Sequence, residues 1–413
     1  MNTKWNSYRI KDICTYIGSG TTPKSSNLRY YENGIHNWVN TGDLNDDIVS
    51  ECKQQITDIA LRDYPTLRFY PKNTIIDAMY GATIGKVGML DFEAVVNQAC
   101  CAMVINKKIA LPKFVLYYLI YYKPQLVKES LGGTQPNVNQ FKVSNICIAM
   151  PSVAGQQTIV DYLDTKLSEI DRQVSLLTRK RDAYLRLKKS IINHAVTKGL
   201  NPNAKMKDSG IEWIGQVPEQ WEVKRLKDCV DCNIKSLGED TKRDKAIQYV
   251  EISDVTYANG IENVQNLTFG EAPSRARRIT KKGDVIVSTV RTYLKAIAKI
   301  EEENIIVSTG FAVLHPTKCD GSFLSYYVLA DAFLNKVEIY SKGTSYPAIN
   351  ASDLVTIHIP LPPLSEQHSI AAYLDDKCGK IDSIVANLNK QISRYGDLKR
   401  SLIDEVITGK RAV

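Results

Sequence analysis

One stretch of the chain occurs twice in fixed register, first from about Gln156 to Lys198 and again from about Glu366 to Gly409. At an offset of 211 (Gln367 against Gln156), Ile159 falls on Ile370, Tyr162-Leu163-Asp164 on Tyr373-Leu374-Asp375, and Ile170-Asp171 on Ile381-Asp382. Tyr184 then falls on Tyr395 and Leu187-Lys188 on Leu398-Lys399, so neither copy carries an insertion. The second copy steps by four and three residues through Leu374, Cys378, Ile381, Val385, Leu388, Ile392, Tyr395, Lys399 and Leu402. The first does the same through Leu163, Leu167, Ile170, Val174, Leu177, Arg181, Tyr184, Lys188 and Ile191. Such spacing predicts long helices with a coiled-coil seam, rods of roughly 60 Å at 1.5 Å per residue. Neither rod can bury its stripe alone, and the obvious partner for each is the other. Arg181, Lys188 and Lys399 lie in the seam itself. A polar seam residue costs stability and fixes register, so these three are expected to align the rods.

The repeat extends beyond the helices. Trp5, Arg9, Lys11 and Asp12 coincide with Trp221, Arg225, Lys227 and Asp228 at an offset of 216. After each Trp come about 140 residues of short β-type runs, among them Thr74–Ile76, Lys86–Leu90, Cys101–Ile105, Gln248–Ile252, Asp284–Val287 and Ile305–Val307. Tyrosine-rich runs of helical spacing follow, Phe114–Tyr122 and Phe323–Leu334. The expected fold is therefore α+β. Two mixed α/β domains (residues 1–150 and 221–361) are joined by two long antiparallel coiled-coil helices (151–200 and 362–413), with internal pseudo-two-fold symmetry. Residues 201–220, with Pro202, Gly210, Gly215 and Pro218, form the connector.

A chain of 413 residues is too long for one ordinary core, in keeping with this division. The N-terminus lacks the apolar run of a signal peptide and no segment reaches membrane-spanning length, which points to the cytoplasm and to no membrane partner. Nine scattered cysteines fit reduced thiols. The +8 net charge leans towards a polyanion without requiring one. Two related but diverged domains on fixed rods suit a divided target, as a dimer suits two unlike DNA half-sites.

The residues that carry a family resemblance are Ile359-Pro360-Leu361-Pro362-Pro363-Leu364-Ser365-Glu366-Gln367, entering the second helix, and the connector Lys205–Gly215 followed by Val217–Trp221. Ala82–Lys86, Asn97-Gln98 and the helix tails Val196–Leu200 and Ile407–Lys410 add to it. In order and duplicated spacing these resemble the specificity subunit of a Type I restriction–modification system over nearly the whole chain. The resemblance implies two target recognition domains reading a bipartite double-stranded DNA site. The helices would space the halves and hold two methyltransferase subunits, and restriction subunits would complete the assembly. No cofactor would bind this chain; S-adenosylmethionine, ATP and Mg would belong to the partner subunits, and so would catalysis. Two departures stand out: Ala154 replaces Ser365 at the helix start, leaving the first helix without a good hydroxyl cap. Ser288–Thr292 also replaces Ala78–Ala82, a difference that unlike half-sites would require and that argues against carrying base contacts from one domain to the other.

Catalytic motifs of its own are not evident. Asn201-Pro202-Asn203 is not an NPPY-type site, Gly81–Val87 is one residue short of a P-loop, and Cys229–Cys232 is a single CxxC. No metal site is expected. Phosphate and base-edge contacts need Arg, Lys, Asn, Gln, Ser or Thr. In the first domain the candidates are Thr21, Thr22, Lys24, Tyr80, Lys86, Thr134, Gln135 and Asn137. In the second they are Arg275, Arg277, Arg278, Arg291, Thr292, Tyr293, Lys295, Thr344, Ser345 and Tyr346. A single charge reads more readily as a solvated surface residue, the Arg275–Arg278 cluster reads equally either way, and Tyr80 and Tyr293 read equally as packing against their own sheets. The basic run Arg179–Arg181, with Arg186, Lys188 and Lys189, reads first as the polar face of a coiled coil, and otherwise as a lining of the DNA path or a docking surface for a methyltransferase subunit. Alternatives from other classes are a free-standing DNA methyltransferase or nuclease, and a scaffold that binds only proteins.

Overall fold

A computed structural model describes residues 5–130 and 138–413, and the chain divides into two compact units. One comprises Met1–Leu177 with Lys390–Val413, the other Thr178–Asn389. Each unit therefore takes one recognition region and a part of both long helices, Val153–Lys198 and Leu364–Ile407. The eighteen seam positions predicted from the repeat are all buried or half-buried.

In the first unit a five-stranded sheet runs Cys14–Ser19, Cys100–Ile105, Ile75–Ala78, Val87–Leu90, Asp47–Val49 in spatial order, antiparallel except for the last pair. A smaller sheet joins Gln55–Ile56, His36–Val39 and Val95–Val96. The second unit has a four-stranded antiparallel sheet in the order Val230–Cys232, Phe311–Pro316, Val285–Ser288, Ile297–Lys299. A second sheet runs Gln265–Thr268, Ala246–Val250, Ile306–Ser308, Ala276–Ile279. All six β-type runs named from the sequence overlap strands. In both units the opening segment pairs antiparallel with the strand that leads into a long helix. Asn6–Arg9 lies against Cys147–Met150, and Glu222–Arg225 against His358–Leu361.

The first tyrosine-rich run lies inside one helix, Pro112–Ser130, but the second breaks into Gly321–Tyr327 and Asp331–Tyr340. The break is held from outside. The Asp331 backbone N–H donates to Asn193 Oδ1 (2.8 Å), and Asn193 Nδ2 donates to Asp331 Oδ2 (2.8 Å).

The helices belong to the domain cores. In the first unit Leu163, Leu167 and Ile170 share one apolar cluster with Leu402, Ile403, Val406 and Phe114. In the second, Ile192 and Val196 share another with Ile370, Leu374, Trp221 and Phe323. Two repeated glutamines sit at the first turns, completely or almost completely buried. Gln156 Oε1 accepts from the Leu111 N–H (2.8 Å), and Gln367 Oε1 from the Asp320 N–H (2.7 Å). Repeated tyrosines also match, Tyr117 donating to Asp164 and Tyr326 to Asp375. Each helix ends in a left-handed glycine, Gly199 (φ +78°) and Gly409 (φ +74°), where an added Cβ would lie 3.3 Å from the Trp221 ring and 3.1 Å from the Trp5 ring.

The seam cations divide. Lys188 Nζ binds Asp382 of the other helix (2.7 Å) and Lys399 Nζ binds Asp171 (2.9 Å), repeated residues in repeated roles. Arg181 instead pairs with its neighbour Asp182 (2.8 Å), while Lys189, outside the seam, pairs with Asp331 (2.6 Å). The cap expectation needs correction. Ser152 precedes the first helix and its Oγ accepts from the Gly155 N–H (3.3 Å), so the hydroxyl missing at 154 is supplied two residues earlier. Pro363, without a hydroxyl, occupies the corresponding place in the second helix.

Candidate nucleic-acid interface

Each unit builds a loop at the end of a central strand, and the two loops have the same backbone frame. In the first unit the Ala78 N–H donates to Lys86 O (2.9 Å), the Met79 N–H to Ala99 O (2.8 Å) and the Val138 N–H to Met79 O (2.9 Å). The second unit repeats all three bonds, at an offset of 210 for the strand and loop (Thr289 against Met79) and of 211 for the partners of Met79. Ser288 N–H donates to Ala296 O (2.9 Å), Thr289 N–H to Gly310 O (2.8 Å) and Ile349 N–H to Thr289 O (2.8 Å). Both loops turn through left-handed residues at matching positions: Gly81 (φ +66°) and Gly85 (φ +72°), then Arg291 (φ +50°) and Lys295 (φ +51°). Frame and side chains are thus separable, since the bonds use only backbone atoms.

In the first unit this frame gathers several of the predicted residues. The loop through Gly20 presses on the turn at Val96–Gln98, where a Cβ on residue 20 would collide with Val96 O. Thr21 N–H donates to Val96 O (3.2 Å), and its hydroxyl shares a hydrogen bond with Thr66 (2.9 Å). Thr22 Oγ1 accepts from the Gln98 N–H (3.4 Å), and Ala99 next along binds Met79 beside Tyr80. Tyr80 is 42% exposed, so the reading that packs it against its sheet does not hold. Lys24 is exposed, its backbone N–H donating to the Tyr64 hydroxyl (3.0 Å), and Lys86 is half-buried. Thr134, Gln135 and Asn137 lie outside the described residues.

In the second unit two predicted groups meet. The Arg291 guanidinium lies 5.1 Å from the centre of the Tyr346 ring. Thr292 is buried, its hydroxyl sharing a hydrogen bond with Ser341 (2.8 Å) and its N–H donating to Pro347 O (3.3 Å). Tyr293, Thr344, Ser345 and Tyr346 are exposed, and Lys295 is half-buried. The arginines at 275–278 are engaged by the protein itself. Arg275 pairs with Glu251, Arg277 lies 4.7 Å over the Phe269 ring and donates to Ser274 O (3.0 Å), and Arg278 donates to Thr309 O (3.4 Å). Burial pulls the Arg278 guanidinium below its usual range. Arg277 Nη1 and Arg278 Nε are buried with no partner among the described residues. Cys229 and Cys232 of the CxxC are raised above the usual thiol range by burial.

Sequence reasoning passed over Gln98 and Asn40 as site residues. Gln98 is exposed beside Thr22, and Asn97 Nδ2 donates to Asn40 Oδ1 (2.9 Å) beneath it. The pair Asn97-Gln98 was visible in the sequence, but as a motif and not as a contact. Hydroxyls, amides, cations and exposed aromatic faces on backbone-fixed loops are what phosphate and base-edge contacts require.

Comparison with known proteins places this geometry. A family model described as "Type I restriction modification DNA specificity domain" matches residues 2–179 and 218–394. The chain is 24% identical over 416 residues to the Type I restriction enzyme MjaVIII specificity subunit of Methanocaldococcus jannaschii, covering 98% of this chain and 92% of that one. It is 23% identical over 314 residues to the EcoDI specificity subunit of Escherichia coli, covering 71% and 69%. Its fold is similar to a chain solved in work on complex assembly and conformational transition of the type I R-M system. That match has a TM-score of 0.71 at 17% identity and covers 98% of both chains.

Proposed function

This chain belongs to the family of Type I restriction modification DNA specificity domains, and from that premise we propose that it is the DNA-recognition subunit of a Type I restriction–modification complex. Each unit reads one half of a bipartite double-stranded site. The long helices space the halves and dock two methyltransferase subunits, and restriction subunits join the full complex. Catalysis, with S-adenosylmethionine, ATP and Mg, resides in those partners. Among the described residues no helix is long and apolar enough to cross a membrane, and the complex works in the cytoplasm, where its DNA is.

One observation carries this reading: the same loop frame is built twice with different side chains, as two unlike half-sites require. Contacts come from the loops around Thr21, Thr22, Lys24, Tyr80 and Lys86, and from those around Arg291, Tyr293, Lys295, Thr344, Ser345 and Tyr346. Arg275, Arg277 and Arg278 shape and charge the neighbouring surface. Lys188 and Lys399, each reaching an aspartate on the opposite helix, set the register of the rods, whereas Arg181 contributes only locally.

The test is single-molecule sequencing of adenine methylation in a host that carries this chain and its cognate methyltransferase subunit. The expected result is a bipartite motif with a fixed gap, methylated once in each half on opposite strands. Exchanging residues 221–361 for those of a relative should change one half only. A continuous motif, or none, would sink the proposal. Methylation or cleavage by the purified chain alone would favour a free-standing enzyme.

A further inference from the structure

The second unit places an arginine where the first places a glycine, in a backbone conformation that arginine rarely adopts. Gly81 and Arg291 occupy the same step of the shared loop frame, at φ +66° and +50°. A Cβ added to Gly81 would meet nothing within 4 Å, so the first unit leaves room for a side chain at this step. The left-handed conformation is ordinary for glycine and disfavoured for arginine, and such outliers persist where the surroundings over-determine them. Here the surroundings do. Thr292 is tied to Ser341 and Pro347, and Lys342 and Ala348 exchange two backbone hydrogen bonds (2.8 and 3.0 Å) that close the loop bearing Tyr346.

Tyr346 is 66% exposed, yet its ring is not idle, because the Arg291 guanidinium covers it at 5.1 Å. That contact pairs the cation with an aromatic ring, and both side chains are exposed. No carboxylate, carbonyl or hydroxyl among the described residues accepts from the Arg291 guanidinium, in contrast to Arg275, Arg277 and Arg278. An exposed, planar donor fork that lies against an aromatic ring and is unspent on the protein is suited to an acceptor pair of matching geometry. In duplex DNA that pair is O6 and N7 of guanine in the major groove.

We propose that Arg291 is a base-reading residue that specifies a guanine in the half-site of the second unit, with Tyr346 as its positioning residue. The proposal rests on the DNA-recognition reading above. It goes further by separating Arg291 from a phosphate contact, for which a lysine would serve as well.

The test compares wild type with Arg291→Lys, Arg291→Gly and Tyr346→Ala in the complete methyltransferase complex. Arg291→Gly suits the backbone, so it is expected to fold. The half belonging to the second unit is identified by exchanging residues 221–361. Expected is a G·C pair in that half whose guanine is preferred about 10- to 100-fold by wild type. Both Arg291 variants should cut that preference to less than about threefold, Tyr346→Ala should weaken it, and the other half and the gap should not change. Where methylation in cells falls too low to read, binding of the purified complex to duplexes carrying each of the four bases at that pair gives the same ratio. An unchanged motif in Arg291→Lys, or equal loss on all four duplexes, would overturn the assignment, because a phosphate contact predicts either. A wild-type complex without a bipartite motif would instead remove the underlying reading, so the two failures are distinguishable.

Discussion

Asp77 has no hydrogen-bond partner for either carboxylate oxygen among the described residues, and it is 1% exposed. It lies on the strand Ile75–Ala78 opposite Val87 and Cys101. Burial pushes its carboxyl up to about 8. The nearby Lys123, already bound to Asp46 (2.8 Å), opposes that rise, while Asp46 adds to it. The folded state therefore keeps a proton that the unfolded chain loses above about pH 4. The stability tied to this group is full below the ordinary carboxyl value of 3.8 and is lost as pH rises towards about 8. At the matching step of the second unit stands Val287, a buried apolar residue. Asp77→Val should accordingly stabilise the chain by about 1–3 kcal/mol at pH 8 and by less at pH 5. Thermal melting at both values checks this, and an equal shift at the two would refute it. Nothing in the sequence marked Asp77, because it sits inside an apolar run with no charged neighbour at helix or strand spacing. The arginines at 275–278 show the converse. They were conspicuous in the sequence, but Glu251 and Phe269, which engage Arg275 and Arg277, lie on other segments of the same sheet region.

Among the elements, the long helices were legible because a 3.5-residue repeat states which side is buried without reference to anything distant. Their repeated glutamines were legible as letters only. The partners of Gln156 and Gln367 lie 45 and 47 residues earlier, at Leu111 and Asp320, beyond the reach of local pattern. Each glutamine ties the first turn of a long helix to the chain entering the tyrosine-rich segment of its own unit. Its side-chain amide also closes on the preceding turn, at Pro151 O (3.1 Å) and Pro362 O (2.7 Å). Gln367→Ala strands the half-buried Asp320 N–H and should cost about 1–3 kcal/mol, with faster hydrogen exchange at that amide. A melting temperature within a degree of wild type would show that the contact carries no weight. The start of the first helix shows the limit of copying one repeat onto the other. Ser152 does the capping, and comparison of residue 154 with residue 365 could not reveal it.

At the scale of the molecule, both units draw core residues from both helices, so neither recognition region is folded apart from the rods that carry it. Division of the sequence at residues 150 and 361 follows the change in pattern, whereas the compact units cut through the helices after Leu177 and Asn389. The +8 charge acquires a use if the loops sit on phosphates. Affinity of the methyltransferase complex for duplex DNA should then fall by at least about tenfold between 50 and 200 mM salt. Binding that ignores salt would favour the protein-only scaffold. The loop frame itself has a further consequence. Its three fixing bonds run between backbone atoms and survive a change of side chain at the exposed positions, whether glycine or arginine stands there. Point mutations at the tips are then nearly neutral for folding and visible only in which sequences become marked. A lineage under pressure from new invaders can drift from one target to another through intermediates that all remain folded.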